Sequence, residues 1–329
     1  MPLSLPARVP LAIGAIFRNE GPYILEWIAH HRLLGIEAIY ICDNLSDDGS
    51  TELLAALDQA GVITHIPFPV PVAAQLPAYT KILHTHGAEA EWFALIDADE
   101  FIEPMPGQPP LQDWLRALPA DVGVVALNWL VFGSSGRESA GRGTVTARFE
   151  RGTAKAGGMN RYYKSIVRTG AIRGFDNPHH PVPREGFRSV DSAGAPLRVA
   201  ESSGLAKSYV WGVARLRHYI IKSRAEFIHK KMARGRATRA DRLRDLDFFD
   251  KVDMDDASFP MAPGYQARLQ AEIATLRGRL RGVPRRSRYL DRSVTRLAPR
   301  PGAAPARQPL RARALLHRFW RWSKRLGKR

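Results

Sequence analysis

Short apolar runs alternate with helix-type segments through the first hundred residues, and this alternation limits the possible folds more than any other feature. Residues 11–17, 38–42, 62–66 and 91–96 are mostly apolar and of strand length. The segments between them carry apolar side chains at near-helical spacing. Strands that alternate with helices form a mostly parallel sheet with helices on its faces. The sequence therefore predicts an α/β fold.

Polar segments follow three of these apolar runs. They are a first loop (residues 18–22), a second loop (residues 43–51) and the acidic cluster Asp97-Ala98-Asp99-Glu100. In a parallel sheet, ligands bind beyond the carboxyl ends of the strands. We therefore expect the three segments to lie together at one ligand-binding edge.

The acidic cluster has the composition of a site for a divalent cation. Two carboxylates two residues apart, just past a strand end, can converge on one ion, and oxygen ligands favour Mg²⁺ or Mn²⁺ over Zn²⁺. An isolated Asp-x-Asp is more often a solvated turn or a helix cap. Here the buried strand before it and two further polar loops at the same predicted edge favour the ligand-binding interpretation.

Further motifs follow one another in a recognisable order. In the first part of the chain they are Arg18-Asn19-Glu20, Glu26-Trp27-Ile28, His31, Leu34-Gly35-Ile36, Asp43-Asn44, Ser46, Asp48-Gly49, Gln75 and Ile96-Asp97-Ala98-Asp99-Glu100-Phe101. Later ones are Trp129, Phe132-Gly133-Ser134, Lys164-Ser165-Ile166-Val167-Arg168, His179, His218-Tyr219, Lys222-Ser223, Glu226-Phe227 and Lys230. Over residues 10–256 the pattern resembles the family 2 and family 92 glycosyltransferases.

The resemblance implies the GT-A fold, in which a Rossmann-like, mostly parallel central sheet is flanked by helices. It also implies a hexosyltransferase that moves a sugar from a nucleotide-diphospho-sugar, a UDP-sugar, to a glycan or glycolipid acceptor, with inversion. The chain departs from the common family 2 pattern at Asp43-Asn44, where two adjacent Asp residues are usual, and it has no clear Gln-x-x-Arg-Trp block. Single transfer therefore fits the sequence better than polymerisation.

Donor-site residues follow from the resemblance. Asn19 and Glu20 would border the nucleotide, and Arg18 would contact phosphate or pair with Glu20. Asp43 would accept a hydrogen bond from the uracil or the ribose, as a carboxylate can. An Asx turn that closes the strand is the alternative role for Asp43. The remaining donor-site residues are Gln75, Asp97 and Lys222.

The metal ligands also follow from the resemblance. Asp97 and Asp99, with His218 as the third ligand, would hold Mn²⁺ or Mg²⁺, and the ion would bridge the two donor phosphates. Lys222 lies four residues after His218. If that segment is helical, the two side chains share one helix face and point together at the diphosphate.

The proton-accepting group is expected in the segment that contains Asp176 and His179. An inverting transfer needs a carboxylate as general base, and Asp176 and Glu185 are the available acids, of which we favour Asp176. A turn of the type Asp-Asn-Pro that forms for conformational reasons is the alternative. We expect His30 and His31 to serve helix packing.

The net charge of +17 belongs to the C-terminal segment. Residues 277–329 contain 18 of the 49 Lys and Arg residues and one acid, so residues 1–276 are formally neutral. The neutral body argues against nucleic acid as a partner, although a nucleic-acid- or membrane-binding protein acting through this segment is the alternative function. A nucleotidyltransferase is disfavoured, because no Gly-rich loop with a following Arg or Lys succeeds the first apolar run.

Residues 310–326 form a basic amphipathic pattern in which apolar side chains recur at spacings of three and four. A helix of this kind lies on an anionic membrane surface, although a solvated charged tail remains the alternative. We expect a transferase domain at residues 1–263, with the helical linker and basic tail at 264–329. The membrane version of the hypothesis has a lipid-linked or lipopolysaccharide-type glycan as acceptor.

The remaining sequence features favour a cytoplasmic location, with peripheral contact at the cytoplasmic face of the membrane. The single cysteine, Cys42, lies in an apolar run and is predicted to be buried. The N-terminal residues lack a signal-peptide pattern, and no apolar run is long enough to span a membrane. Residues 144–149 are predicted to be a strand, and residues 222–249 and 264–282 to be mostly helical.

Overall fold

The computed structural model describes residues 8–154, 158–200, 204–232 and 243–282. In these residues the strands are β1 (Val9–Phe17), β2 (Ile39–Asp43), β3 (Thr64–Pro67), β4 (Ala90–Leu95), β5 (Glu100–Pro104), β6 (Val122–Val131), β7 (Arg151–Gly152), β8 (Tyr163–Arg168), β9 (Ile172–Asn177), β10 (His180–Pro183), β11 (Arg188–Asp191), β12 (Ala214–His218) and β13 (Ala257–Ser258). The α-helices are α1 (Ile24–Leu33), α2 (Ser50–Gln59), α3 (Gln75–His86), α4 (Leu111–Ala117), α5 (Val145–Arg148), α6 (Arg224–Phe227), α7 (Leu246–Val252) and α8 (Tyr265–Arg279).

The central sheet has the strand order β3-β2-β1-β4-β8-β6-β12-β5, with β11 also paired to β6. The first four strands in this order are parallel to one another, because a helix follows each of β1, β2 and β3 and returns the chain to the same end of the sheet. β8 runs antiparallel between β4 and β6, and β5 is antiparallel to β12. The predicted α/β fold with a mostly parallel sheet is confirmed.

Both faces of the sheet are covered. The side chains of β1 alternate between the two faces: Ile13 belongs to the core cluster that includes α1, α2, α4 and α8, whereas Ala12 belongs to the cluster that includes α3 and β9. Cys42 of β2 is fully buried, as predicted. A strand covered on both faces needs apolar residues throughout its length, which is why the strands appear in the sequence as continuous apolar runs.

Residues 144–149 form a helical turn, α5, and the predicted strand is wrong. The carboxylate of Glu26 on α1 accepts hydrogen bonds from the backbone N–H groups of Val145 (2.6 Å) and Thr146 (2.9 Å), and from the Thr146 hydroxyl (2.9 Å). The first N–H groups of a helix have no partner inside the helix. A carboxylate from another part of the chain supplies that partner here, and apolar periodicity cannot reveal it.

The described residues of the segment from Lys222 to Phe249 are mostly helical, as predicted, with 222–223 and 243–245 outside the helices. Strand β12 ends at His218, and Lys222 follows with a left-handed backbone (φ 58°) before α6 begins. A π-helical turn, Ile228–Met232, continues α6, and α7 contains the end of the segment. The predicted shared helix face of His218 and Lys222 is therefore wrong.

Helix α8 is packed onto α1. Arg32 Nε donates to a carboxyl oxygen of Glu272 at 2.7 Å, and His30 Nδ1 lies 2.6 Å from the hydroxyl of Tyr265. The predicted boundary between residues 263 and 264 thus falls just before a helix that shares the core. The predicted amphipathic helix at 310–326 lies outside the described residues. Within the described ranges, no helix is long and apolar enough to cross a membrane.

Candidate active site

The acidic cluster lies in the middle of the sheet, directly after β4. Its backbone forms a tight turn in which the Asp97 N–H donates to the Glu100 carboxyl group at 2.8 Å. The indole N–H of Trp27 on α1 donates to the carbonyl oxygens of Glu100 (2.8 Å) and Asp97 (3.2 Å). His31, one turn further along α1, is fully buried and packs on Trp27, as the sequence predicts. Helix α1 therefore stabilises the turn through the side chain of Trp27.

Asp97 is held through one carboxyl oxygen. Its Oδ1 accepts hydrogen bonds from Gln75 Nε2 (2.6 Å), the Tyr79 hydroxyl (3.0 Å) and Lys164 Nζ (2.9 Å). Burial alone would raise the pKa of Asp97, but the Lys164 ammonium holds it below its usual value. The Asp97 side chain is 32% exposed, whereas that of Lys164 is fully buried. Asp97 is therefore a fixed, ionised carboxylate at the surface of the site.

Asp99 faces a different set of groups. Its Oδ2 accepts a hydrogen bond from Lys231 Nζ at 2.6 Å, and its Oδ1 lies 3.6 Å from His218 Nε2. His218 reaches Asp99 because β12 pairs with β5 in a register that sets His218 opposite Glu100. Burial would raise the pKa of Asp99, but the ammonium of Lys231 holds it well below its usual range.

His218 is a neutral imidazole in a buried position. Burial lowers its pKa, although Asp99 opposes the shift. Its ring packs on Trp129 with 4.1 Å between ring centroids, and its buried Nδ1 has no hydrogen-bond partner in the described part of the chain. Glu100, the third acid of the cluster, is fully buried, and burial raises its pKa well above the usual value. Glu100 therefore supports the turn from a buried position, where its carboxyl group accepts the Asp97 N–H.

The first and second loops are joined at the same edge of the sheet. Asn19 has a left-handed backbone (φ 56°), and its N–H donates to the Ser46 hydroxyl at 3.1 Å. Its side-chain amide exchanges two hydrogen bonds with Asp47, one with the Asp47 carboxylate (2.7 Å) and one with its N–H (2.9 Å). The predicted donor residue Asn19 thus connects the two loops.

Arg18 and Glu20 flank Asn19 at this edge. Arg18 is half-buried just past the end of β1, and Glu20 is buried. The Glu20 carboxylate forms an ion pair with Lys230, which follows α6 on the π-helical turn. The turn therefore contacts the first loop as well as the acidic cluster.

Asp43 ends β2 and is oriented by three neighbours. Its two carboxyl oxygens accept hydrogen bonds from the hydroxyls of Ser46 (2.6 Å) and Thr51, and His65 Nε2 lies 3.6 Å away. Burial would raise the pKa of Asp43, but the nearby His65 imidazole and the hydrogen bonds from the two hydroxyls lower it. Asp43 is thus an ionised carboxylate at the predicted ligand edge, and its contact with Ser46 also closes the second loop.

Lys222 reaches the site from the loop after β12. Its Nζ donates to the Tyr219 carbonyl at 3.2 Å and lies 4.6 Å from the centre of the Tyr23 ring. The Lys222 side chain is buried, and its electrostatic influence extends to Asp99. The structure therefore brings Lys222 to the predicted site by a route that differs from the predicted helix.

His179 lies beside the acidic cluster. Its ring packs on Trp129 at 5.3 Å between centroids, so that Trp129 contacts both His179 and His218. His179 Nδ1 lies 2.8 Å from the Tyr163 carbonyl, and an oxygen of this kind accepts, so Nδ1 carries the proton and Nε2 is the basic nitrogen. Burial, together with the Lys164 ammonium, lowers the pKa of His179 to about 4.

Asp176 does not join this group. It lies on β9 with more than half of its side chain exposed, and its carboxylate is 3.9 Å from His180 Nε2. Glu185, the alternative acid, is exposed beyond β10. Among the contacts of the described residues, none joins Asp176 or Glu185 to Asp97, Asp99 or His218.

Two of the three predicted metal ligands, Asp99 and His218, lie side by side. Asp99 and His218 form a carboxylate–imidazole pair, in which the carboxylate is the ligand type that suits Mn²⁺ or Mg²⁺, and among the described residues the buried Nδ1 of His218 has no hydrogen-bond partner. In the described part of the chain no cluster of three His, Cys, Asp or Glu side chains has the arrangement of a metal site. Ions of this type commonly take one or two protein carboxylates and complete their shell with substrate phosphates.

Three residues of the site have roles that the sequence did not predict. Lys164 belongs to a motif for which the sequence suggests no function, and Tyr79 lies in a segment for which the sequence predicts only helical structure. Lys231 lies in the segment 222–249, for which the sequence also predicts only helical structure. A lysine amid the apolar residues of β8 is a usable signal for Lys164, since a buried ammonium requires a counter-ion. Nothing in the sequence pairs Lys231 with Asp99, because that contact joins residues 132 positions apart.

Fold and site together define the class of the protein. A mostly parallel α/β sheet carries an Asp-x-Asp cluster after a central strand, beside two loops at the same edge, which is the GT-A glycosyltransferase arrangement implied by the sequence resemblance. Residues 14–173 match the family model of glycosyltransferase family 92. This part of the chain is thus similar to glycosyltransferase family 92, and the predicted resemblance to that family is confirmed.

Two plant proteins illustrate the relationship. A glycosyltransferase family 92 protein of Oryza sativa subsp. japonica is 30% identical over 190 residues, which are 55% of this chain and 31% of that protein. A family 92 protein of Ricinus communis is 27% identical over 217 residues, 64% of this chain and 37% of that protein. The matches thus cover less than two fifths of either relative.

Solved structures match smaller parts of the fold. TarS 1-349 of S. aureus matches 49% of this chain and 47% of its own, with 14% identity and a TM-score of 0.32. The mannosyltransferase PcManGT from Pyrobaculum calidifontis, in complex with GDP-Man and Mn²⁺, matches 37% of this chain and 36% of its own, with 17% identity and a TM-score of 0.29.

Proposed function

We propose that the protein is a hexosyltransferase that moves a sugar from a nucleotide-diphospho-sugar, a UDP-sugar, to a glycan or glycolipid acceptor. The observation that carries the proposal is the pair Asp97 and Asp99. Both carboxylates are ionised and follow one central strand, and separate partners orient them at the edge where the first two loops meet. The family 92 match over residues 14–173 supports the reaction class.

The donor would lie along this edge. Asp43 and the loops joined by Asn19 stand at the carboxyl ends of β1 and β2, the position that nucleotides occupy on open α/β sheets. Arg18 and Glu20 border the same position. Gln75 would act through Asp97, because its amide donates to the Asp97 carboxylate. Lys222, buried beside Tyr23, supplies a positive charge for the diphosphate.

Asp99 and His218 would hold Mn²⁺ or Mg²⁺, with Asp97 as the adjacent carboxylate. When bound, the ion supplies Lewis-acid stabilisation of the charge on the departing diphosphate. The protein groups hold the geometry in advance: Lys164, Tyr79 and Gln75 fix Asp97, and the β5–β12 pairing fixes His218. Such preorganised charges need no reorganisation during the reaction.

The acceptor hydroxyl would approach on the side of Trp129 and His179. The basic Nε2 of His179 is suited to accept a hydrogen bond from this hydroxyl and to orient it. An inverting transfer requires a base, and of the two predicted groups His179 is beside the acidic cluster, whereas Asp176 is exposed on β9. We therefore give the acceptor-side role to His179 first, and to Asp176 second.

A donor screen tests the proposal. The protein is incubated with Mn²⁺ and UDP-, GDP- or CMP-sugars, and the released nucleotide is measured with and without EDTA. We expect release from UDP-sugars that depends on the metal. Binding of nucleic acid or vesicles without release from any donor would instead favour the alternative, a binding protein that acts through its basic tail.

The tail supports a peripheral-membrane version of the proposal, at the cytoplasmic face and with a lipid-linked or lipopolysaccharide-type acceptor. Residues 277–329 carry the whole net charge, which would attract anionic lipid. Deletion of residues 284–329 should abolish sedimentation with phosphatidylserine vesicles and leave donor hydrolysis intact, with phosphatidylcholine vesicles as the control. Undiminished sedimentation of the shortened protein would contradict this version.

A further inference from the structure

Two neighbouring lysines of the π-helical turn Ile228–Met232 each reach an acidic side chain of the proposed donor site. Lys231 Nζ lies 2.6 Å from Asp99 Oδ2, and Lys230 pairs with the Glu20 carboxylate. The lysine side chains are only 13% and 12% exposed. π-helical turns often occur at functional sites, and this one follows a helix whose start is fixed by a capping box.

A third ammonium group completes the cluster. Lys222 and Lys230 lie 4.6 Å and 4.8 Å from the centre of the Tyr23 ring, and the charge of Lys222 also acts on Asp99. Tyr23 is itself fixed, because its hydroxyl donates to Glu226 at 2.7 Å. Three lysines from one short segment of chain thus gather where the proposed donor would place its diphosphate.

Lys231 and a divalent cation would compete for Asp99. A buried carboxylate needs a positive charge beside it, and Lys231 provides this charge. An ion held by Asp99 and His218 would lie close to the Lys231 ammonium, and the two positive charges would repel strongly in a partly buried site. Lysine has a flexible four-carbon stem, so its ammonium can leave Asp99 without movement of the backbone.

We propose that Lys231 is an exchangeable cation of the donor site: it neutralises Asp99 when the site is empty and transfers to the donor's phosphate oxygens when a divalent cation takes Asp99. Lys230 makes the corresponding move from Glu20. This inference rests on the proposed function, because it requires a metal and a diphosphate at this position. Lys231 therefore opposes binding of the metal alone and favours binding of the diphosphate.

Two equilibrium measurements test the inference without use of catalytic activity. Binding of Mn²⁺ alone is followed by the electron paramagnetic resonance signal of the free ion, and binding of UDP at saturating Mn²⁺ is followed by calorimetry, with GDP as a second probe. In Lys231→Met we expect Mn²⁺ alone to bind about tenfold more tightly and UDP about tenfold more weakly, a coupling of ordinary size. Lys231→Arg should keep both wild-type affinities, as should the exposed control Lys207→Met.

A folding measurement accompanies the binding data. Lys231→Met should unfold at a lower temperature than the wild type in EDTA and should recover in Mn²⁺, since the ion replaces the missing charge. If the methionine variant does not fold, Lys231→Gln replaces it, because its amide can still donate to Asp99. We expect Lys231→Gln also to bind Mn²⁺ more tightly and UDP more weakly than the wild type.

The outcomes separate the two proposals. A wild-type protein that binds neither Mn²⁺ nor any nucleoside diphosphate refutes the proposed function. A wild type that binds both, together with a Lys231→Met variant whose affinities are unchanged or shift in the same direction, refutes the role of Lys231. Tighter binding of Mn²⁺ together with weaker binding of UDP by Lys231→Met supports the role of Lys231.

Discussion

Asp97 and Asp99, the two acids of the Asp-x-Asp motif, differ in the residues that hold them. Asp97 is fixed by the fully buried Lys164 on β8, whereas Asp99 is paired with Lys231 on the π-helical turn Ile228–Met232. Asp97 is therefore a permanent feature of the site, and Asp99 is the acid whose partner can change. Spacing in the sequence treats the two residues alike, and only their neighbours distinguish them.

Replacement of Lys164 tests the fixed acid. In Lys164→Met, Asp97 keeps its hydrogen bonds from Gln75 and Tyr79 but loses its buried counter-ion. Loss of one partner of a buried pair costs about 3 kcal/mol of unfolding free energy, and the partial exposure of Asp97 reduces this to about 2 kcal/mol. Urea unfolding measures the change, with Lys207→Met as the control. A change below about 0.5 kcal/mol would contradict the assigned role.

Helices α1, α5 and α6 are joined by buried charges rather than by apolar contacts alone. Arg148 of α5 donates to both carboxyl oxygens of Glu226 on α6, at 2.8 Å and 2.9 Å. Glu226 also accepts from Tyr23, which precedes α1, and from Ser223. This network holds the start of α6, and hence the lysine-bearing turn that follows it.

The network predicts an acid-sensitive part of the stability. Burial would raise the pKa of Glu226, but Arg148 and the hydroxyl donors lower it from 4.5 to about 2. Between these values the unfolded chain binds more protons than the folded one. The stabilisation, about 3 kcal/mol, is therefore present above pH 4.5 and is lost as the pH falls towards 2.

Urea unfolding of Glu226→Gln at a series of pH values checks this expectation. The variant should be less stable than the wild type by about 3 kcal/mol at pH 7, and the difference should shrink between pH 4.5 and 2. The exposed control Glu52→Gln should show no such trend. A difference that is independent of pH would assign the effect to packing instead of charge.

At the same scale, the sequence predicts elements that are stabilised by their own periodicity and misses those that depend on distant partners. β1, β2, β4 and α3 were located from apolar runs and spacing, because a strand or helix between two covered faces must be apolar in that pattern. The sequence predicts a strand in place of α5. It misses the helical turn because the partner of the turn's N–H groups, Glu26, lies 119 positions before Val145.

The candidate site divides in the same way. Asp97, Asp99 and Asp43 were located because each follows a strand that the sequence identifies. His218 was located by resemblance, and its contact with Asp99 depends on the antiparallel pairing of β5 and β12, which no local pattern encodes. Asp176 remains a prediction, on an exposed strand outside the cluster.

The compact body of the molecule extends to the end of α8. Leu269, Ile273 and Leu276 of this helix are buried in the core that contains α1, and Tyr265 packs on His30. Burial of side chains of this size contributes about 2 kcal/mol each, so their sum approaches the whole stability of an ordinary domain.

Two truncations test where the body ends. Residues 1–283 should unfold cooperatively near the wild-type temperature, as followed by circular dichroism. Residues 1–263, which correspond to the domain predicted from the sequence, should lose the cooperative transition because α1 is uncovered. Cooperative unfolding of the shorter chain at the wild-type temperature would show that α8 is dispensable.

The central claim is that Asp97 and Asp99 form the donor and metal site of a sugar transferase. Its most direct test is the metal-dependent release of nucleotide from a UDP-sugar by the wild type and by the double variant Asp97→Asn with Asp99→Asn, with the exposed Asp113→Asn as the control. The account predicts a loss of at least about a hundredfold, the size of effect seen when one preorganised catalytic group is removed. Release at the wild-type rate by the double variant would contradict it.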